Sequence, residues 1–176
     1  MLKRLELQGF KSFKEKISVD FAETITVIVG PNGSGKSNII DALRWLLGER
    51  DAKNLRGDSG ESLIFGGTNS SQKVSLAQAS LYFDNSKKIF PLDYEEIIVS
   101  RKVFRDGTGE YLINQAQVRL KDVIDLFASS KMGARGLSII NQGNADLFIK
   151  ASDPERRTML EEILGLKQYQ LKKHEA

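Results

Sequence analysis

The run Gly30-Pro31-Asn32-Gly33-Ser34-Gly35-Lys36-Ser37 separates two segments of different periodicity, and its reading decides the fold. Gly30, four residues, and then Gly35-Lys36-Ser37 is the spacing of a phosphate-binding loop. Glycines open backbone conformations closed to other residues, so successive amide N–H groups can turn inward on an anion while the following helix start adds positive potential. In that geometry Lys36 reaches the β- and γ-phosphates, and the Ser37 hydroxyl is offered to Mg²⁺. The plain alternative is a glycine-rich turn between a strand and a helix.

The flanks favour the loop. Upstream, Thr24-Ile-Thr-Val-Ile-Val29 is β-branched throughout and predicts a buried strand. Downstream, Ile39, Ile40, Leu43, Leu46 and Leu47 recur at helical spacing, and Gly48 is placed to end that helix.

At 176 residues, 40% of them hydrophobic and 28% charged, the chain is long enough for one domain with its own core. A net charge of +3 and a pI near 9.0 permit nucleic-acid contact without requiring it. With no cysteine there is neither a disulfide framework nor a cysteine-based zinc site, which agrees with a reducing cytoplasm. The opening Met1-Leu-Lys-Arg-Leu-Glu6 has no apolar h-region, and no apolar run approaches the ~20 residues of a membrane span. A soluble, intracellular protein is the expectation.

In chain order, Leu2, Leu5 and Leu7 set against Lys3, Arg4 and Glu6 suggest a strand with one wet face, broken at Gly9. Ile17, Val19 and Phe21 give a second strand, so the phosphate loop would follow an antiparallel start to a mixed sheet. Between Asp51 and Gly60 the composition predicts an exposed loop, and Ser62 to Gly67 is a short apolar island. Val74 to Phe83 predicts a buried strand ending at an Asp84-Asn85 turn. Ile97–Phe104 and Tyr111–Ile113 read as a hairpin closed by a turn with two glycines, and Arg119–Phe127 as a helix. A loop over Ala128–Gly136 and a short strand from Leu137 toward Gly143 should come next. Ser152-Asp-Pro-Glu155 has capping-box spacing, and the helix it starts runs into Lys-Lys-His-Glu-Ala176 without a stop signal.

Hydrolysis at a phosphate loop ordinarily needs an apolar strand ending in an Asp for Mg²⁺. Leu81-Tyr-Phe-Asp84 is the nearest candidate, but it alternates, and Asn85 rather than Glu follows. A strand ending in a turn is the better reading. Val123-Ile-Asp125 lies inside a helical pattern and is weaker still.

Taken together, Gly9-Phe-Lys-Ser-Phe13, the loop Gly30–Ser37 with Asn38, Trp45–Glu49, Leu55-Arg-Gly57, Arg119-Leu-Lys-Asp122, Ile139-Ile-Asn-Gln-Gly143 and Arg156-Arg157 with Glu161-Glu162 and Gly165 resemble the N-terminal head segment of bacterial structural maintenance of chromosomes (SMC) proteins. The resemblance implies an α/β fold, the N-terminal lobe of an ABC-type ATPase head over residues 1–151, with a coiled-coil neck helix beginning at 152–176. It implies that Pro31, Asn32, Gly33, Ser34, Gly35, Lys36, Ser37 and Asn38, with Lys11 and Ser12 beside them, hold ATP. Gln142 would be the Q-loop glutamine, contacting Mg²⁺ with Ser37 and meeting the attacking water, and Arg56 the R-loop arginine near the γ-phosphate. On composition alone, an arginine in an exposed loop is ordinarily solvated, and a Gln before Gly is ordinarily a turn residue.

In the family the Walker B carboxylate, catalytic Glu and signature motif come from the C-terminal half, which would account for the missing acidic strand. The implied partners are that C-terminal half, a second head in an ATP-dependent homodimer, a kleisin subunit at the neck helix and double-stranded DNA bound without sequence preference, with no membrane. Arg119 and Lys121 are the DNA candidates by position in the family; a solvated helix start is the equal alternative. Two further readings are a repair ATPase of the Rad50 or RecN kind and a non-catalytic module whose loop only stabilises the fold. A cytoplasmic, nucleoid-associated protein is the expectation.

Overall fold

The computed structural model describes residues 1–49, 55–57, 60–130 and 150–157. The fold is α/β, built on a six-stranded antiparallel sheet in the order β2-β1-β3-β4-β5-β6. Its strands are β1 (Leu2–Gln8), β2 (Ile17–Asp20), β3 (Leu76–Asp84), β4 (Glu96–Phe104), β5 (Gly109–Ile113) and β6 (Ala116–Val118). Helix α1 (Lys36–Leu46) packs on β3 and β4, and α2 (Leu120–Ser129) on β5.

Alternation along the strands gives one face to the core. Leu5 and Leu7 of β1, Ala77, Ala79, Leu81 and Phe83 of β3, and Ile97 and Val99 of β4 are all buried there. Ile39, Ala42, Trp45 and Leu46 of α1 and Val123, Leu126 and Phe127 of α2 close over them. The small side chains of Ala77 and Ala79 leave room for Trp45, which stacks on Phe10 at 5.3 Å between ring centroids. On the opposite face the directly paired Ser80 and Ser100 join hydroxyls at 2.8 Å, so β3 is buried on both sides as its mixed pattern suggests.

Strand ends follow local chemistry. Gly9 turns the chain out of β1 with φ of 63°, and a Cβ there would stand 2.1 Å from the Leu76 carbonyl oxygen. Helix α1 ends in a Schellman arrangement: Gly48 N–H donates to the Trp45 carbonyl at 3.2 Å and Glu49 N–H to the Arg44 carbonyl at 3.1 Å. Asn85 is fully buried. Its Nδ2 donates to the carbonyls of Phe90, Leu92 and Tyr94 while its Oδ1 accepts from Phe90 N–H, which explains why β3 ends where it does. The loop expected between Asp51 and Gly60 is not exposed throughout, since Leu55 in it is buried, while 51–54 and 58–59 lie outside the described residues. A short 3₁₀ turn, Gly60–Leu63, leads into the apolar island Ser62–Gly67, which delivers buried Leu63, Ile64 and Phe65. The strand β6 was not foreseen; a two-residue turn at Asn114-Gln115, both at positive φ, sets its pairing with β5.

The main correction concerns Thr24–Val29. The segment was expected as a buried strand, yet it has no ladder partner among the described residues, and Ile25, Val27 and Val29 are 80%, 74% and 83% exposed. A strand is defined by its neighbours, and the antiparallel sheet offers this run none. Apolar side chains exposed on both faces suit the middle of a parallel sheet rather than an edge.

The loop expected over Ala128–Gly136 starts later than its composition suggests, because α2 continues through Ser129; its remainder from 131 on and the strand from Leu137 lie outside the described residues. At the end of the described chain a helix does begin at 153–157, with Ser152 N–H and Oγ both bonded to the Glu155 carboxylate at 2.8 Å. Those two contacts hold the Glu155 carboxyl below its ordinary range.

Candidate nucleotide site

The loop Gly30–Ser37 stands on the surface between the unpaired run and α1. Gly33 and Gly35 take φ of 82° and 95°, the left-handed region that the motif's glycines serve. Gly35 is the N-cap of α1; no side chain caps this end, and no acidic residue lies in its first turn. The arrangement suits an anion: uncapped helix amides, positive end potential and no competing carboxylate. Lys36 Nζ lies across the mouth of the loop, donating to the carbonyls of Gly30 and Pro31, each at 2.7 Å. Carbonyl oxygens there satisfy the same ammonium that phosphate oxygens would.

The turn after β1 forms the wall. Phe13 packs against Gly35 so closely that a Cβ at that glycine would fall 2.6 Å from Phe13 Cζ and 3.0 Å from Ser12 Oγ. Ser12 Oγ accepts from Asn38 Nδ2 at 2.8 Å. Lys11 Nζ donates to Asp41 Oδ2 at 2.5 Å and to the Leu55 carbonyl. Asp41 also takes Arg56, with Nη2 to Oδ2 at 2.6 Å and Nε at 3.1 and 3.2 Å to the two oxygens. The structure thus joins Lys11 and Arg56 through a carboxylate that sequence reasoning missed. A signal existed: Asp41 sits four residues before the core residue Trp45, on a helix face that should carry no charge.

Asp84 is excluded as a partner of the loop. Leu2 pairs with Phe83 at one end of β1, while Phe10 and Ser12 leave the other end for the loop, so the two are separated by roughly 20 Å of strand. Asp84 instead receives Ser86 N–H at 2.9 Å, which with the Ser86 side chain holds its carboxyl below the usual carboxylate range. Among the described residues no group of three His, Cys, Asp or Glu is placed to hold a metal ion. Gln142 lies outside the described residues.

Arg119 and Lys121 are exposed at the start of α2, and the Arg119 side chain is 84% exposed. Leu120 and Ile124 pack at Gly48, so this surface adjoins the C-terminal end of α1, about 16 Å along the helix from the phosphate loop. Arg101 was also unforeseen. It donates to the carbonyls of Trp45 and Glu49 at 2.8 Å while its guanidinium lies over the Trp45 and Tyr111 rings, fixing the end of α1.

A phosphate-type loop opening a helix beside an antiparallel sheet defines the class: a lobe of a P-loop nucleotide-binding protein. The family model of the RecF/RecN/SMC N terminal domain matches residues 1–144, and the chain belongs to that family. Among relatives, the chromosome partition protein Smc of Desulfitobacterium hafniense is 49% identical over 175 residues, or 99% of this chain and 15% of that protein. Among solved structures, the Smc head of Pyrococcus furiosus, with an extended coiled coil and bound to the C-terminal domain of ScpA, is 36% identical. It matches with a TM-score of 0.86 over 99% of this chain and 44% of that one. A chain solved in work on ATP-driven dimerization and DNA-stimulated activation of SMC ATPases is 35% identical, with a TM-score of 0.84 over 92% of this chain and 98% of that one. The chain is an SMC head segment that spans about 15% of the curated relatives it matches.

Proposed function

We propose that this chain is the ATP-binding half of an SMC head that acts in chromosome condensation and segregation. One observation carries the reading: an uncapped helix start behind Gly33 and Gly35, with Lys36 at its mouth. The residues fit a nucleotide polyphosphate. Pro31, Asn32, Gly33, Ser34, Gly35 and Lys36 cradle it, Ser37 and Gln142 hold Mg²⁺, and Asn38, Lys11, Ser12 and Arg56 complete the surround. When bound there, Mg²⁺ would supply positive charge to offset that of the phosphates.

Hydrolysis is composite, and the C-terminal half of the head supplies the Walker B carboxylate, catalytic Glu and signature motif. Residues 1–151 are then the lobe, and 152–176 the start of the neck helix, where a kleisin docks. Two heads close on two ATP molecules because ATP binds the engaged state more tightly. Double-stranded DNA lies over the joined heads through phosphate contacts, with Arg119 and Lys121 among them, in a cytoplasmic, nucleoid-associated assembly. The relatives from Desulfitobacterium hafniense and Bacillus subtilis, 49% and 47% identical, are chromosome partition proteins Smc, which favours this reading over a Rad50- or RecN-like repair ATPase.

The test pairs binding with turnover. ATP should bind this chain and lose binding with Lys36→Ala, whereas hydrolysis should be near zero until the C-terminal half is added. Unchanged affinity in the variant would leave the loop a fold-stabilising turn, and robust turnover by this chain alone would return the acidic site to it.

A further inference from the structure

We infer that Asp41 is a positioning residue for the nucleotide site, gripping Arg56 so that the arginine distinguishes a triphosphate from a diphosphate. The inference rests on the nucleotide-binding reading above and goes beyond it, because it assigns a role to a buried carboxylate that touches no nucleotide itself.

Three observations carry it. First, the Asp41 side chain is 3% exposed, in the second turn of α1. A carboxylate so buried is strongly disfavoured unless paired, and here it has two cations, Lys11 at 2.5 Å and Arg56 at 2.6 Å. Second, the charges do not cancel. One carboxylate against an ammonium and a guanidinium leaves a single net positive charge, and the group left toward solvent is Arg56, 52% exposed where Lys11 is 10%. Lys11 balances Asp41, which leaves the charge of Arg56 available to an outside anion.

Third, the grip is directional. Asp41 accepts from Nε and Nη2 of Arg56, which fixes the plane of the guanidinium and leaves Nη1, without a partner among the described residues, as the free edge. Asp41 is four residues after Ser37, a rise of about 6 Å, and helical side chains lean toward the N-terminus. The carboxylate that holds Arg56 therefore stands about one helical turn from Ser37 on the same face of α1. Arg56 itself adopts φ of 53°, and Lys11 φ of 49°. Two adverse backbone conformations meet at one carboxylate, and Lys11 Nζ also ties the Leu55 carbonyl beside Arg56.

The experiment uses the full-length protein, with ATP and ADP each titrated in the presence of Mg²⁺ and the ratio of the two affinities as the readout. Asp41→Asn should cut the preference for ATP over ADP by roughly 10-fold, as expected for loss of one charge-assisted contact. Arg56→Lys keeps the charge but cannot take a forked grip, sits on an exposed side chain, and should cost about as much as Asp41→Asn; the double variant should lose no more than either alone. An unchanged or increased preference in a folded Asp41→Asn protein overturns the inference. So does a full preference retained by Arg56→Lys, which decides the matter if Asp41→Asn does not fold. Binding that Lys36→Ala abolishes while neither variant moves the ratio overturns this inference alone; a wild-type protein that binds neither nucleotide overturns the functional reading and this inference with it.

Discussion

Gly33 and Gly35 share positive φ, but their surroundings separate what each contributes. Nothing lies within 4 Å of a Cβ added at Gly33, whereas at Gly35 the added atom would meet Phe13 Cζ at 2.6 Å and Ser12 Oγ at 3.0 Å. Alanine at Gly33 therefore bears only the backbone penalty of the left-handed region, about 1–2 kcal/mol. Alanine at Gly35 bears that penalty and must also push Phe13 and Ser12 away, which loosens the wall that Asn38 holds through Ser12. Gly35→Ala should lower thermal stability by clearly more than Gly33→Ala and weaken ATP at least 10-fold further, by differential scanning calorimetry and nucleotide titration. Equal effects at the two positions would mean that the contact between Phe13 and the loop does not organise the site. The Phe-Lys-Ser-Phe turn was legible only as a resemblance, because nothing in its spacing says that it packs on a loop more than twenty residues later.

At the scale of elements, legibility followed how local the deciding interaction is. The alternation of β1 and β3, the helical stripe of α1 and the caps at Gly48 and Ser152 involve near neighbours, and each was readable. Asn85 and Arg101 act on carbonyls, which periodicity does not record, and periodicity marks Asp41 as a charge on the apolar face of α1 without naming its distant partners Lys11 and Arg56. Thr24–Val29 failed for the opposite reason: its β-branched pattern states a preference for a strand, but a partner must realise it. Helix α2 illustrates a separable element. Its cap runs from Arg119 backbone N–H to Asp122 Oδ2 at 2.8 Å, a bond that holds the Asp122 carboxyl below its ordinary range and needs no arginine side chain. Charge reversal at Arg119 and Lys121 should therefore leave the helix folded by circular dichroism while weakening duplex DNA binding at low salt, with a shallower salt dependence. Unchanged affinity and slope would place the DNA surface elsewhere.

At the scale of the whole molecule, the exposed run at Ile25, Val27 and Val29 sits immediately before the phosphate loop, where any rearrangement would move the nucleotide. An apolar β-branched stretch open on both faces is an association hazard unless other chain covers it. This chain covers 44% of the P. furiosus head, which extends well beyond the matched portion, so that relative has chain available for that purpose. The consequence is a difference between two contexts. In the 176-residue chain alone, Val27→Asp should change stability by no more than about 0.5 kcal/mol, as at other exposed positions, and should reduce self-association. In the full-length protein the same carboxylate would be buried without a partner, which costs several kcal/mol and should appear as a large fall in melting temperature. A large loss already in the short chain would show that its own residues pack on the run. Indifference in both contexts would show that nothing covers it, and the phosphate loop would then not depend on the C-terminal half for its footing.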